Sequence, residues 1–256
     1  MAATLLDEIL ERARGYEREL PAFPGGLEVP VSELAHTIDH TLLKPEATPE
    51  QIGALCREAK EYGFASVCVQ PVHAGRARRA LGDSPVKTCV VIAFPHGATS
   101  TQAKLAEARE VLVEGAQELD MVLPIGLFRG GEYAYVLDEV RSLAELVHGQ
   151  GALLKVILEN VYLTRFEKIL ACLISQAAGA DFVKTSTGFG PGGATVEDVH
   201  LMRCVVGPVE RMGVKAAGGI HSLAEAQAML RAGANRIGAS AGVQIMREAQ
   251  EAHAQA

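Results

Sequence analysis

The sequence predicts an α/β protein, a (β/α)8 barrel (TIM barrel) with an extra N-terminal helix, and three observations carry that expectation. From residue 36 onward, eight short β-branched, apolar runs alternate with longer stretches of helical periodicity. Every connection between runs is of crossover length, which implies parallel pairing. No G-x-G-x-x-G follows the first run, so the alternative, an open doubly wound sheet, lacks its usual fingerprint.

The elements follow in order. Residues 1–30 comprise an amphipathic, charged stretch, MAATLLDEILERARGYEREL, and a Pro/Gly-rich lead-in, PAFPGGLEVP. They are expected to form a helical extension, under the barrel floor or at an oligomer contact, ahead of a single catalytic domain over 31–256. The strand runs are HTIDHTLL (36–43), SVCVQP (66–71), KTCVVIAFP (87–95), ELDMVLPIG (118–126), ALLKVILE (152–159), DFVKTSTG (181–188), VKAAGGI (214–220) and RIGASAG (236–242). Between them, TPEQIGALCREAKEYG, TSTQAKLAEAREVLVEGAQ and SLAEAQAMLRAG read as helices, each opening on a Ser or Thr that can cap the free N–H groups. Gly115-Ala116, Gly179-Ala180 and Gly233-Ala234 each close a helix just before a strand, where glycine allows the left-handed turn.

Composition narrows the function. With 48% apolar and 21% charged residues, the 256-residue chain can bury a large core. A net charge of -7 argues against nucleic acid or an anionic membrane as partner, so any anionic ligand must be held by local chemistry. Five scattered cysteines without a C-x-x-C pair indicate reduced thiols in a cytoplasmic protein, and no segment reads as a signal peptide or membrane span.

Strand alternation shows which residues face the barrel interior. Leu119, Met121 and Leu123 face the helices, which turns Asp120 inward; Leu154, Val156 and Leu158 do the same for Lys155 and Glu159. Lys184 shares its face with Phe182 and Ser186, and Lys215 shares one with Ala217. Four consecutive strands thus put charge where a barrel normally layers Val, Ile and Leu. Burial and mutual repulsion take the proton from one of two neighbouring amines. A neutral lysine makes Schiff bases with carbonyl compounds, and a nearby carboxylate can shuttle the protons. This is class I aldolase chemistry, which requires no metal or other cofactor. Either Lys184, followed by Thr-Ser-Thr-Gly, or Lys215, followed by Ala-Ala-Gly-Gly, qualifies as the nucleophile.

AAGGI after the seventh run and GASAG after the eighth lie where many barrels seat a phosphate on exposed backbone N–H groups. Asp39 suits a substrate hydrogen bond, a water relay or a turn cap. Lys155 reads as a charge partner of Asp120 or Glu159, and Cys68 as a packing residue near the mouth that could touch small aldehydes. His36 and His40 lie too far apart on a strand to bind a metal together, and His96 reads as structural.

From about residue 34 to 245 the chain resembles the deoxyribose-phosphate aldolases. IDHTLL, SVCVQP, FPHG, ELDMVLP, LLKVILE, FVKTSTGFG, VKAAGGI and RIGAS carry the resemblance in family order. It implies reversible cleavage of 2-deoxy-D-ribose 5-phosphate to acetaldehyde and D-glyceraldehyde 3-phosphate in deoxyribonucleotide catabolism, by a homodimer or homotetramer. It also implies Lys184 as the Schiff-base lysine, Lys215 as its proton-donating partner and Asp120 as the proton relay, with phosphate on Gly188, Gly218, Gly219, Gly238 and Ser240. The chain departs from some members at three places: Ala241 instead of a second serine, Phe189 instead of a lysine, and a tail, EAHAQA, without tyrosine.

Overall fold

The structure, a computed structural model, describes residues 4–254. Eight parallel strands close a barrel in sequence order: β1 (Ile38–Leu42), β2 (Ser66–Val69), β3 (Lys87–Ile92), β4 (Glu118–Val122), β5 (Leu153–Ile157), β6 (Phe182–Lys184), β7 (Gly213–Ala217) and β8 (Arg236–Ala239). The helices are α1 (Leu5–Arg18), α2 (Val31–Leu34), α3 (Pro49–Tyr62), α4 (Ala74–Leu81), α5 (Thr101–Val113), α6 (Ile125–Arg129), α7 (Tyr133–His148), α8 (Arg165–Ala177), α9 (Val196–Val206), α10 (Leu223–Arg231) and α11 (Gly242–Ala254).

Local chemistry sets the helix ends. Reciprocal capping boxes start α1 (Thr4 with Asp7), α3 (Thr48 with Gln51), α8 (Thr164 with Glu167) and α10 (Ser222 with Glu225). Gly115, Gly179 and Gly233 take the expected left-handed φ of 93°, 89° and 113° just before β4, β6 and β8.

All eight strands end before their runs do, and the third and sixth show how. In the third, Ala93 adopts a left-handed φ of 53° and the Phe94-Pro95 peptide is cis, so pairing ends at Ile92. In the sixth, the strand ends at Lys184: the Thr185 N–H still donates to the Lys215 carbonyl, but the Ala217 N–H donates to Thr185 Oγ1, while the Thr185 carbonyl accepts from Asn160 instead. The short helices α2 and α6 were not expected; α6 begins right after Pro124 cuts off the fourth run.

The outward residues of the strands, among them Leu119, Met121, Leu154, Val156, Val183 and Val214, form one continuous core under the helices. Inside the barrel, Leu43, Cys68, Cys89 and Val91 form a small apolar cluster. Val122 and Ile157 are buried in the same phase as Asp120 and Lys155, so the interior mixes apolar side chains with an unusual number of charged ones. The first helix packs against α8, on the outer ring rather than beneath the barrel floor. The lead-in after it crosses α10, with Leu27 N–H donating to the Leu230 carbonyl at 2.9 Å. A Cβ at Gly26 would collide with the Arg231 carbonyl, so this crossing requires glycine.

Beneath the end of β4, Lys104 of α5 and Glu139 of α7 form a fully buried ion pair at 2.6 Å. Lys104 Nζ also donates to the Val122 carbonyl at 2.9 Å, which fixes the strand that carries Asp120. Lys104→Met strands the Glu139 carboxylate and is expected to lower unfolding stability by about 3–5 kcal/mol. Urea denaturation checks this, with the double change Lys104→Met/Glu139→Leu recovering most of the loss.

Candidate active site

Register brings the inward charges together. Asp120 lies beside Lys155 across β4 and β5, and Lys184 lies beside Lys215 across β6 and β7. The Asp120 carboxylate is fully buried and is the hub. Its Oδ2 accepts from Lys184 Nζ at 2.8 Å and Lys215 Nζ at 2.7 Å, and its Oδ1 from Lys155 Nζ at 2.9 Å and the Cys89 thiol at 3.1 Å. Burial alone would raise the Asp120 carboxyl, but the three ammonium groups outweigh it and hold the carboxyl well below the usual carboxylate range.

The three lysines are not equivalent. Lys215 also meets Asp39 at 2.5 Å, and Lys155 also meets Glu118 at 2.6 Å. Burial would lower both amines, yet their paired carboxylates hold both above the usual lysine range. Lys184 has the single carboxylate Asp120. Among the described residues it is also the one lysine of the three that opens on a cleft, a cavity of about 360 Å³ at the C-terminal mouth of the barrel.

The far end of that cleft is built on glycine. Gly188, Gly218 and Gly219 have left-handed φ of 83°, 88° and 78°, and exposed Ser240 follows β8. Gly218 is required twice, since a Cβ there would also stand 3.1 Å from Gly193 Cα. Gly238 lines the cleft from within β8, where a Cβ would stand 3.0 Å from the Ala217 Cβ and 3.1 Å from the Lys215 Cε. Lys44 and His221 line the same cleft. Neither was picked out from sequence; both lie in loops directly after strand runs, where alternation has no reading.

The other residues weighed from sequence have settled partners. Asp39 neither caps a turn nor lines the cleft: it accepts from Ser66 Oγ and Arg236 at 2.7 Å each, besides pairing with Lys215. Glu159 is not the partner of Lys155. Its backbone turns left-handed after β5, at a φ of 55°, and its carboxylate accepts from the Thr187 N–H and hydroxyl. Cys68 is fully buried against Cys89 and does not line the cleft. His36 meets Glu33 and His40 meets Glu58, so the two histidines do not converge; His96 is exposed. Phe189 stands edge-on to Phe94 at 5.2 Å, forming part of the cleft rim.

Two charged residues were missed altogether, Glu118 and Arg236. Glu118 lies two positions before Asp120, and Arg236 two before Gly238, so the period-two signal that exposed Asp120 was available for both. Cys68, Cys89 and Asp120 have donor atoms within 4.8 Å of one another, a metal-like spacing. The set does not fit a cation: three ammonium groups already occupy the Asp120 oxygens, and Lys155 Nζ contacts Cys89 Sγ at 3.3 Å. Among the described residues no helix is long and apolar enough to cross a membrane.

A parallel barrel with one lysine open to a glycine-walled cleft, and a carboxylate and two further lysines behind it, defines an aldolase-type (β/α)8 enzyme. The chain belongs to the DeoC/LacD family of aldolases, whose model matches residues 34–251. It is 56% identical over 222 residues to the deoxyribose-phosphate aldolase of Caldanaerobacter subterraneus subsp. tengcongensis, covering 86% of this chain and 95% of that one. It is 54% identical to the deoxyribose-phosphate aldolase of Thermococcus gammatolerans, covering 86% and 98% of the two chains. Among solved structures, the tetrameric deoxyribose phosphate aldolase of Aeropyrum pernix superposes with a TM-score of 0.79 at 36% identity, covering 95% of this chain and 97% of that one.

Proposed function

We propose that this aldolase reversibly cleaves 2-deoxy-D-ribose 5-phosphate to acetaldehyde and D-glyceraldehyde 3-phosphate through an imine on Lys184. The observation that carries this reading is the inequality of the lysines: Lys184 opens on the cleft with one carboxylate, whereas Lys155 and Lys215 are sealed between two each. The names of the relatives support the substrate.

In its neutral form, Lys184 Nζ attacks C1 of the open-chain sugar, and the carbinolamine loses water to give an iminium ion. Lys215 supplies and recovers protons in this step, with Asp120 as the relay that joins the two amines. Loss of the C3 hydroxyl proton breaks the C2–C3 bond, whose electron pair moves toward the iminium nitrogen. Glyceraldehyde 3-phosphate departs and leaves an enamine. Protonation at C2 and hydrolysis then release acetaldehyde and restore Lys184.

The 5-phosphate is held by the backbone of Gly188, Gly218 and Gly219 and by Ser240, with Lys44 and His221 offering charge and hydrogen bonds from side chains. Gly238, which lines the same cleft, belongs with this phosphate seat and leaves space beside Ala217 and Lys215. The match over residues 34–251 supports a catalytic unit of residues 31–256 with 1–30 as an appended helical segment. A homodimer or homotetramer is in keeping with the tetrameric relative, and a cytoplasmic location with five free, buried cysteines.

The test is borohydride reduction in the presence of acetaldehyde, followed by peptide mass mapping. A reduced two-carbon adduct on the peptide carrying Lys184 is expected. An adduct on Lys215 would reverse the lysine roles, and folded protein without an adduct would remove the imine.

A further inference from the structure

Six charged groups inside the barrel alternate in sign and close on themselves. Arg236 meets Asp39 at 2.7 Å, Asp39 meets Lys215 at 2.5 Å, and Lys215 meets Asp120 at 2.7 Å. Asp120 meets Lys155 at 2.9 Å, Lys155 meets Glu118 at 2.6 Å, and Glu118 returns to Arg236 at 3.2 Å. Three carboxylates and three cations cancel. Lys184 stands outside this ring, attached to it through Asp120 alone.

The position of Lys184 has an electrostatic consequence. A dehydrated charge is costly unless a partner balances it. With the ring neutral, an ammonium at Lys184 carries the one unit of charge the cluster leaves uncompensated, while the free amine leaves the cluster at zero. The carboxylate nearest to it is already shared with Lys155 and Lys215. Besides the ring members, the titratable groups around Lys184 are Cys68 and Cys89 on β2 and β3, Glu159 after β5, and Lys44 and His221 at the cleft.

We infer that Glu118 and Arg236, neither of which lines the cleft, are positioning residues that keep the ring neutral and so set the pH at which Lys184 becomes the free amine. The inference rests on Lys184 being the imine-forming residue. Its sign is definite: removing an acid from the ring leaves it positive and favours the amine, whereas removing a base leaves it negative and favours the ammonium.

The experiment is the pH dependence of kcat/KM, and of borohydride-trapped imine formation with acetaldehyde, for Glu118→Gln, Arg236→Met, Arg236→Lys and the double variant Glu118→Gln/Arg236→Met. The acid limb should move down by roughly one pH unit in Glu118→Gln and up by roughly one in Arg236→Met, the size of losing one buried charge. It should stay near the wild-type position in Arg236→Lys and in the double variant, where the ring charge is restored. A merely structural role would slow the variants without moving the limb in opposite directions, and that result overturns the inference.

If a single variant fails to fold, the double variant decides: an unmoved limb supports the ring and a displaced one overturns it. Should none of the variants fold, the ring is structural scaffolding and the inference falls. The wild-type control separates the two claims. No adduct on Lys184 in wild-type protein removes the proposed reaction itself, while a wild-type adduct with unmoved limbs removes only the ring.

Discussion

Lys184→Leu is expected to lower turnover of deoxyribose 5-phosphate by roughly four orders of magnitude or more, with the fold intact. The other lysine lining the cleft, Lys44, is an exposed loop residue, and Lys215 and Lys155 are each sealed between two carboxylates, so no other amine that opens on the cleft is paired with Asp120. The fold should survive because Lys184 lies outside the neutral ring. Asp120 keeps Lys155, Lys215 and the Cys89 thiol as donors when Lys184 is gone. Leucine also fills much of the space of the lysine stem. A turnover assay beside a thermal melt checks both halves, and retained activity would remove the central role given to this residue.

Asp120→Asn is expected to cost both activity and stability. The amide presents donor hydrogens to Nζ atoms that lie 2.7 to 2.9 Å from the native carboxylate, and it removes the one charge shared by all three lysines. Loss of the proton relay proposed for Asp120 should lower kcat by about 10²- to 10⁴-fold. Breaking the buried pairs should lower unfolding stability by about 3–5 kcal/mol. The pH dependence gives an independent sign. Asp120 is held below its ordinary range in the folded state, so its contribution is present above the unfolded carboxylate value near pH ~4 and fades as pH falls below that. Denaturant titrations of wild type and variant should therefore converge on acidification; a gap that stays constant with pH would show that Asp120 stabilises the fold by packing.

Much of this arrangement was legible in the sequence, for a definite reason. A strand has a period of two, so Leu119 and Met121 on one face reveal Asp120 on the other, and the same holds for Lys155 between Leu154 and Val156. The phase says which way a side chain points, not what it meets. Asp39 meets Lys215 because the barrel closes β8 onto β1, a contact between residues that no local pattern relates. Of the two partners offered for Lys155, Asp120 holds and Glu159 does not, because alternation holds only while the strand lasts. The chain leaves β5 at Ile157, and the left-handed backbone at Glu159 sends the carboxylate to Thr187. Which lysine opens on the cleft is a matter of depth along the barrel axis, and spacing within a run does not encode it.

The distribution of charge inside the barrel also bears on how the molecule comes together. The interior acids, Asp39, Glu118 and Asp120, all lie on β1 and β4, in the first half of the chain. The interior bases, Lys155, Lys184, Lys215 and Arg236, lie on β5 to β8. Each half-barrel alone would therefore gather like charges on its concave face, with no counter-ions of its own to bury. Two copies of either half would repel across that face. Only the opposite half supplies the complement, so the barrel is a single cooperative unit whose two halves become stable together.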